Sequence, residues 1–432
     1  MPEKTTSEKL PQIPWIGKRP FYGWVIVLLS AVIQFIQGVF NQGFGTYLPL
    51  LQQQFGWSRA VLAGPRSLMQ MQSSLLGPLE GWLVDRFGPR IIASLGALIA
   101  GLGLIMFSFT NSLWMYYLSY VVIAIGTSLQ GMLILAVAIN SWFRRKRATA
   151  FSLMGLGWSM AGVVGVPALV LVQNALGWQV SALMLGFLTM GVAIPNFLFF
   201  RRTPEMYGLL QDGDILGDTT STTRTGDRNA TEEYDFTPRQ ALRTRSFWFL
   251  AAGRALGMMG ATVVTTHIFL HLDQVGLART TAAFVWSIAS MANIPMRLVG
   301  GFFGDRFPKR IILGGAIFLV AASQLVLGQT TSFQTAVVFA VIYGIGWGVR
   351  TPVDNAIQGE YFGRKSLGVI SGWLQLVTIP FAASGPVLAG YMADVQGNYT
   401  SAFTVMFFLT LAGAVLTFLS APPKHPTQTG RD

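Results

Sequence analysis

An arginine set in the middle of an apolar helix is the residue in this chain most in need of a chemical partner. Residues 290 to 310 read Ser-Met-Ala-Asn-Ile-Pro-Met-Arg-Leu-Val-Gly-Gly-Phe-Phe-Gly-Asp-Arg-Phe-Pro-Lys-Arg, so Arg297 stands inside an apolar run that ends in a basic turn. The step from Arg297 to Asp305 corresponds to about 12 Å of helix, close to half of a roughly 30 Å hydrocarbon layer. With Asp305 at a membrane surface, Arg297 lies near mid-bilayer. An intramembrane cation costs at least about 2.5–3.5 kcal/mol, and Asn293, one turn earlier, shares its helix face. A guanidinium offers two parallel donors to two carboxylate oxygens. The chemistry expected of Asn293 and Arg297 is therefore capture of a carboxylate, with a structural ion pair to a neighbouring helix as the alternative.

Three further arginines interrupt apolar segments. Arg350 lies one turn before Asp354, a spacing that allows an ion pair within one helix, and a structural role is the favoured reading. Arg254 reads equally as an inner gate or as a side chain reaching the interface. Arg66 is close enough to the outer surface to do the same, and a structural role is expected. His267 and His271 stand one turn apart before Asp273. Histidine titrates near physiological pH, which makes His267 the candidate for proton coupling beside an equally favoured packing role. No further cysteine or histidine in the apolar segments completes a metal set, so neither metal nor cofactor is expected. Asn41 and Tyr120 are weaker candidates for lining a cavity, whereas Tyr116 and Tyr117 read as interfacial anchors.

These residues need a membrane to sit in, and the composition supplies one. A 432-residue chain with 52% hydrophobic and 11% charged residues and a mean hydropathy of +0.51 is too apolar for a soluble protein of this size. Its charges crowd into short gaps between long apolar runs, as in a helical bundle rather than an alternating β-barrel. The net charge of +12 does not indicate nucleic acid, because 24 of the 30 lysines and arginines fall in alternate connections or at the ends of the chain. This is the positive-inside pattern. It predicts both termini in the cytoplasm of a plasma-membrane protein, with the bilayer as the partner of the basic loops. There are no cysteines, so disulfides and thiol chemistry are excluded.

Residues 1–20 form a polar tail without a signal-peptide core, followed by apolar segments near 21–48, 59–84, 90–109, 113–138, 148–173 and 178–200. Residues 201–241 are rich in Thr, Asp, Arg and Gly and read as a linker. Six more segments follow near 243–271, 279–304, 310–328, 333–355, 366–391 and 399–420, before a short polar tail from 421 to 432. The expected fold is an all-α membrane protein of twelve transmembrane helices in two six-helix halves, 21–200 and 242–420.

An internal repeat supports the two halves. Asp85-Arg86-Phe87-Gly88-Pro89-Arg90 recurs 220 residues later as Asp305-Arg306-Phe307-Pro308-Lys309-Arg310. Trp142-Phe143-Arg144-Arg145-Lys146 recurs 219 residues later as Tyr361-Phe362-Gly363-Arg364-Lys365, with Pro167 answered by Pro386. Six segments per half give the copies one orientation, related by an axis along the membrane normal. The repeated loop reads as a gate: Asp85, Arg86, Arg90, Asp305, Arg306 and Arg310 can lock one side shut until the halves rock apart. The register sets Gly77 opposite Arg297 and Ser73 opposite Asn293, so the expected site is asymmetric, with its charge in one half.

The segment from Gly81 to Arg90 resembles the Gly-x-x-x-Asp-Arg-x-x-Arg loop of the major facilitator superfamily, over essentially the whole chain. Within it, the chain resembles the monocarboxylate transporter and oxalate/formate antiporter branch. The matching residues are Tyr22-Gly23-Trp24, Phe55-Gly56-Trp57-Ser58-Arg59, Trp142-Phe143, Gly155, Arg297 and Gly359-Glu360-Tyr361-Phe362-Gly363-Arg364. The resemblance implies a monomeric secondary transporter, not an enzyme, that moves a small organic anion such as lactate or pyruvate, coupled to protons, with Arg297 on the substrate carboxylate. Animal members carry an aspartate four residues before that arginine and a lysine in the first span; here Asn293 stands in the first place and no lysine in the second. Anion exchange therefore stays open beside symport. A non-transporting receptor on the same fold is a third, weaker reading.

Overall fold

The computed structural model describes residues 21–143, 147–201, 204, 236–363 and 367–423. Both chain ends, most of the linker and the basic residues Arg144 to Lys146, Arg364 and Lys365 lie outside them, as do the side chains of Gln70, Ser73, Asp85 and Asp305. The described residues form helices and no strand, and nine helical stretches among them are long and apolar enough to cross a bilayer. In chain order the helices are α1 (Gly23–Phe55), α2 (Arg59–Ser108), α3 (Leu113–Ser128), α4 (Met132–Trp142), α5 (Arg147–Met160), a π-helical turn (Ala161–Gly165), α6 (Val166–Gly191) and α7 (Ala193–Phe199). The second half holds α8 (Pro238–Leu242), α9 (Arg245–Gln274), α10 (Arg279–Arg306), α11 (Lys309–Gly328), α12 (Phe333–Phe362), α13 (Leu367–Gln396) and α14 (Thr400–Leu419).

Where the sequence predicts separate segments, two of these helices run on through a sharp bend. α2 bends at Gly88, with φ 80° and ψ 159°, and α6 at Gly177, with φ 85° and ψ 163°. Positive φ is tolerated there because glycine has no Cβ. The predicted segment 113–138 instead breaks between α3 and α4, leaving carbonyls that apolar surroundings cannot satisfy. Gln37 of α1 answers this break, its Nε2 donating to the Thr127 and Gln130 carbonyls at 3.1 Å each.

The twin prolines each free a backbone carbonyl. Pro167 has no N–H to give the carbonyl four residues back, and that carbonyl, on Val163 in the π-helical turn, accepts from the Ser287 hydroxyl of α10 at 2.5 Å. Pro386 frees the Ala382 carbonyl in the same way, and Thr262 donates to it at 3.0 Å. Helix-breaking residues thus give each half an acceptor for a neighbouring helix. Small residues bring the helices close enough: Gly162 sits where a Cβ would come within 2.8 Å of Ser290 Cβ, the close approach that glycine permits.

In the second half, Gly348 lets α12 approach α10 directly behind Asn293. A Cβ there would meet the Asn293 carbonyl oxygen at 2.6 Å and Met296 Cβ at 2.7 Å. Overpacking of this kind costs about 1–3 kcal/mol. Gly348→Leu is therefore expected to lower the thermal midpoint of the purified protein and to weaken substrate affinity with it, while Gly315→Leu, at a position with open space around it, leaves both near wild type.

Candidate functional site

The two halves enclose a central cavity of about 240 Å³. α10 presents Ser290, Asn293 and Arg297 to it, α1 presents Asn41 and Gln42, and α2 presents Arg66. Trp158, Trp286, Tyr343 and Trp347 supply aromatic walls, with the Tyr343 and Trp347 rings stacked at 6.2 Å between centroids. Asn293 and Arg297 meet as their spacing requires: Arg297 Nε donates to Asn293 Oδ1 at 2.8 Å. That bond uses the inner edge of the guanidinium and leaves the two Nη groups for an anion. Gly155 lies beside them, a Cβ there coming within 3.7 Å of Arg297 Nη1, so the missing side chain gives the guanidinium room.

Asn41 also lies in the cavity, but in a role that the sequence did not suggest. Its Oδ1 accepts from Arg66 Nη1 at 2.8 Å. Arg66 corrects the expectation of a side chain reaching the outer surface, because it turns inward and shares the cavity with Arg297. The repeat register places Trp286 opposite Arg66, and both line the cavity, Trp286 Nε1 donating to Gln42 Oε1 at 3.2 Å. Two guanidiniums, one from each half, therefore meet at one space. The expectation of charge in one half alone is corrected, because the first half brings a charge of its own.

Arg350 and Asp354 do not form the predicted pair. Asp354 lies 3.6 Å from Arg254 Nε instead, while Arg350 points over the Trp347 ring at 5.1 Å and donates to the Arg254 carbonyl at 3.4 Å. Both arginines line a second cavity of about 210 Å³, which shares Met258 and Trp347 with the lining of the first. Tyr120 is buried away from the central cavity, packed on Phe40, Phe44, Phe107 and Tyr116. Tyr116 and Tyr117 are not interfacial anchors: their hydroxyls donate to the Leu62 and Val61 carbonyls of α2 at 2.8 and 2.9 Å, and Tyr116 is fully buried. They pin α3 to α2.

His267 is fully buried, with Tyr399 Oη 3.0 Å from Nδ1 and the Pro386 carbonyl 2.8 Å from Nε2. It stands between α13 and the start of α14, outside the central cavity. Of the gate residues, Arg86 packs on Trp82 and Phe87, Arg90 lies 4.2 Å from the Phe197 ring of α7, and Arg306 lies 3.8 Å from the Phe302 ring. Arg310 is half-buried at the start of α11. The carboxylates of Asp85 and Asp305 fall outside the described side chains.

Hydrogen bonds between the halves gather at the predicted outer end. Asp394 of α13 accepts from the backbone N–H groups of Arg59 and Ala60 at 3.0 and 3.1 Å, and Arg59 Nη1 donates to the Ala393 carbonyl at 2.7 Å. Arg279, the residue 220 places after Arg59, reaches the other way to Gln173 Oε1, Asn174 Oδ1 and the Thr46 carbonyl at 2.6, 3.1 and 3.1 Å. One repeated arginine therefore closes each seam.

A bundle of apolar helices in two repeated halves around a polar central cavity is the arrangement of a two-half membrane transporter. The Major Facilitator Superfamily model matches residues 30–378 and 296–432, and the chain belongs to that family. Among its relatives, Monocarboxylate transporter 13 of Rattus norvegicus is 25% identical over 400 residues, covering 91% of this chain and 87% of that protein. Monocarboxylate transporter 11 of Homo sapiens is 24% identical over 423 residues, covering 94% and 84%. Among solved structures, a bacterial homologue of the human lysosomal transporter Spinster, inward-facing and unoccupied, superposes with a TM-score of 0.76 at 16% identity, over 95% of this chain and all of that one. The same protein in its inward-facing, occupied form gives 0.69.

Proposed function

We propose that this transporter carries small monocarboxylates of the lactate or pyruvate kind through a plasma membrane, with protons, by rocking its halves about the central cavity. The observation that carries the reading is Arg297. It is a guanidinium with Asn293 on its Nε, facing a cavity of about 240 Å³ that is walled by aromatic rings and has no acidic residue among the described residues of its lining. A cation so placed is matched by a compact anion with a carboxylate to accept two donors. The aromatic walls suit a short apolar body, and the monocarboxylate transporters among the relatives agree with that chemistry.

Arg66 favours a second reading, exchange of organic anions with two charged ends, because it brings a second cation to the same cavity. Competition separates the two. With labelled lactate as the carried species in proteoliposomes, unlabelled pyruvate at equal concentration is expected to suppress uptake at least about tenfold more effectively than oxalate or malonate. Stronger suppression by the dicarboxylates would reverse the order of the two readings.

A further inference from the structure

A carboxylate absent from the central cavity is buried farther along α2 from Arg66. Glu80 of α2 is 6% exposed, and one of its oxygens accepts a hydrogen bond from the Ser128 hydroxyl of α3. It faces a third cavity, of about 320 Å³, between α1, α2 and the α3–α4 break. Arg66 and Asn41 line that cavity and the central one alike. The remaining polar groups facing it are Gln37 from α1, Thr127 and Ser128 from α3 and Gln375 from α13, so among the described residues Arg66 is the only other ionisable one in its lining.

A carboxyl group inside a membrane segment is costly and calls for a role. The other buried titratable groups are committed elsewhere. Asp354 lies 3.6 Å from Arg254 Nε. Both ring nitrogens of His267 are engaged by Tyr399 and Pro386, and His271 Nε2 by the Leu327 carbonyl at 2.7 Å. Glu80 combines burial, a polar cavity and one cation shared with the anion site.

We propose that Glu80 carries the coupled proton and that the polar cavity it shares with Arg66 and Asn41 links its protonation to the anion. Arg66 and Glu80 stand fourteen residues apart on α2, about 21 Å along the helix, so the link is the shared space and not a contact. An anion drawn to Arg66 adds negative charge at the mouth of that space, which favours the neutral acid, and Glu80 then takes up one proton. Linkage is reciprocal, so protonation of Glu80 tightens anion binding by the same factor. The loaded carrier thus holds one anion and one proton, both released on the far side, with no net charge moved by the pair. This rests on the anion-transport reading above and names the residue that would make it symport.

The test uses the full chain in proteoliposomes with two assays, accumulation of labelled lactate driven by an inward proton gradient, and exchange of labelled for unlabelled lactate at equal pH. Glu80→Gln is expected to lose accumulation at least about tenfold while keeping exchange within about twofold of wild type. Glu80→Asp, which keeps an ionisable group, is expected to retain accumulation with a displaced pH profile. Accumulation by Glu80→Gln at the wild-type level, loss of exchange in a Glu80→Gln protein with wild-type thermal midpoint, or equal loss of accumulation in both variants overturns the assignment. Wild-type protein that exchanges lactate yet ignores the proton gradient sinks this proposal alone, whereas wild-type protein that moves no small carboxylate sinks the anion reading beneath it.

Discussion

Arg297→Ala is expected to reduce carboxylate uptake at least about 100-fold while the protein stays folded and inserted. Removing one partner of a desolvated, hydrogen-bonded charge pair costs about 2–5 kcal/mol, and every 1.4 kcal/mol is about tenfold in affinity. The loss should be confined to substrate handling, because the Arg297 side chain is half-buried and bonds within the protein to Asn293. Arg297→Lys restores the charge but not the two parallel donors, so an intermediate defect is expected, expressed mainly in KM. Asn293→Ala removes the acceptor that fixes the guanidinium and should weaken affinity less, about tenfold. Equal defects in Arg297→Lys and Arg297→Ala would mean that bidentate geometry matters and charge alone does not suffice; wild-type uptake in both would remove Arg297 from the site.

The second large effect is conformational. Arg59 and Arg279 are repeat equivalents that close the two seams between the halves at the predicted outer end, Arg279 through three hydrogen bonds and Arg59 together with the Asp394 carboxylate. Hydrogen bonds to charged groups contribute about 1.5–3 kcal/mol each when shielded, and less at a half-exposed position such as this one. Loss of the Arg279 set is expected to raise the population opened at that end at least about tenfold, and Arg279→Ala combined with Asp394→Ala to raise it further. The chain has no cysteine, so spin labels can be attached at Gln53→Cys and Thr331→Cys without altering any native thiol. Pulsed electron resonance should then resolve a longer distance component that grows from wild type to Arg279→Ala to the double variant. An unchanged distance distribution would show that these bonds do not hold the end closed.

Much of this architecture could be read before the helices were placed. The recurrence of Asp85 to Arg90 at Asp305 to Arg310 announced two equivalent halves, and the same register explains why Arg59 and Arg279 do matching work at the two seams. Arg297 and Asn293 were legible because four-residue spacing within one helix determines which side chains stack. Arg66 and Glu80 were not. Depth along a helix is countable from the sequence, but the face that a helix turns to its neighbours depends on long-range packing. Arg66 therefore read as an outer residue, although Asn41 of α1 holds it inward. Glu80 gains its setting from Ser128 at the end of α3 and from the break that follows, which an apolar segment from 113 to 138 gave no reason to expect. The Arg254–Asp354 pair was missed for the same reason: local spacing offered Arg350, but a residue on another helix came closer.

The central claim is that a small carboxylate crosses the membrane held by Arg297. Uptake of labelled lactate into proteoliposomes containing the wild-type protein, measured beside the Arg297→Ala protein, tests it most directly. The account predicts saturable uptake by wild type, faster with acid outside, that falls to the protein-free background in Arg297→Ala. Absence of uptake for lactate and every other small carboxylate tried, or equal uptake by the two proteins, would contradict it.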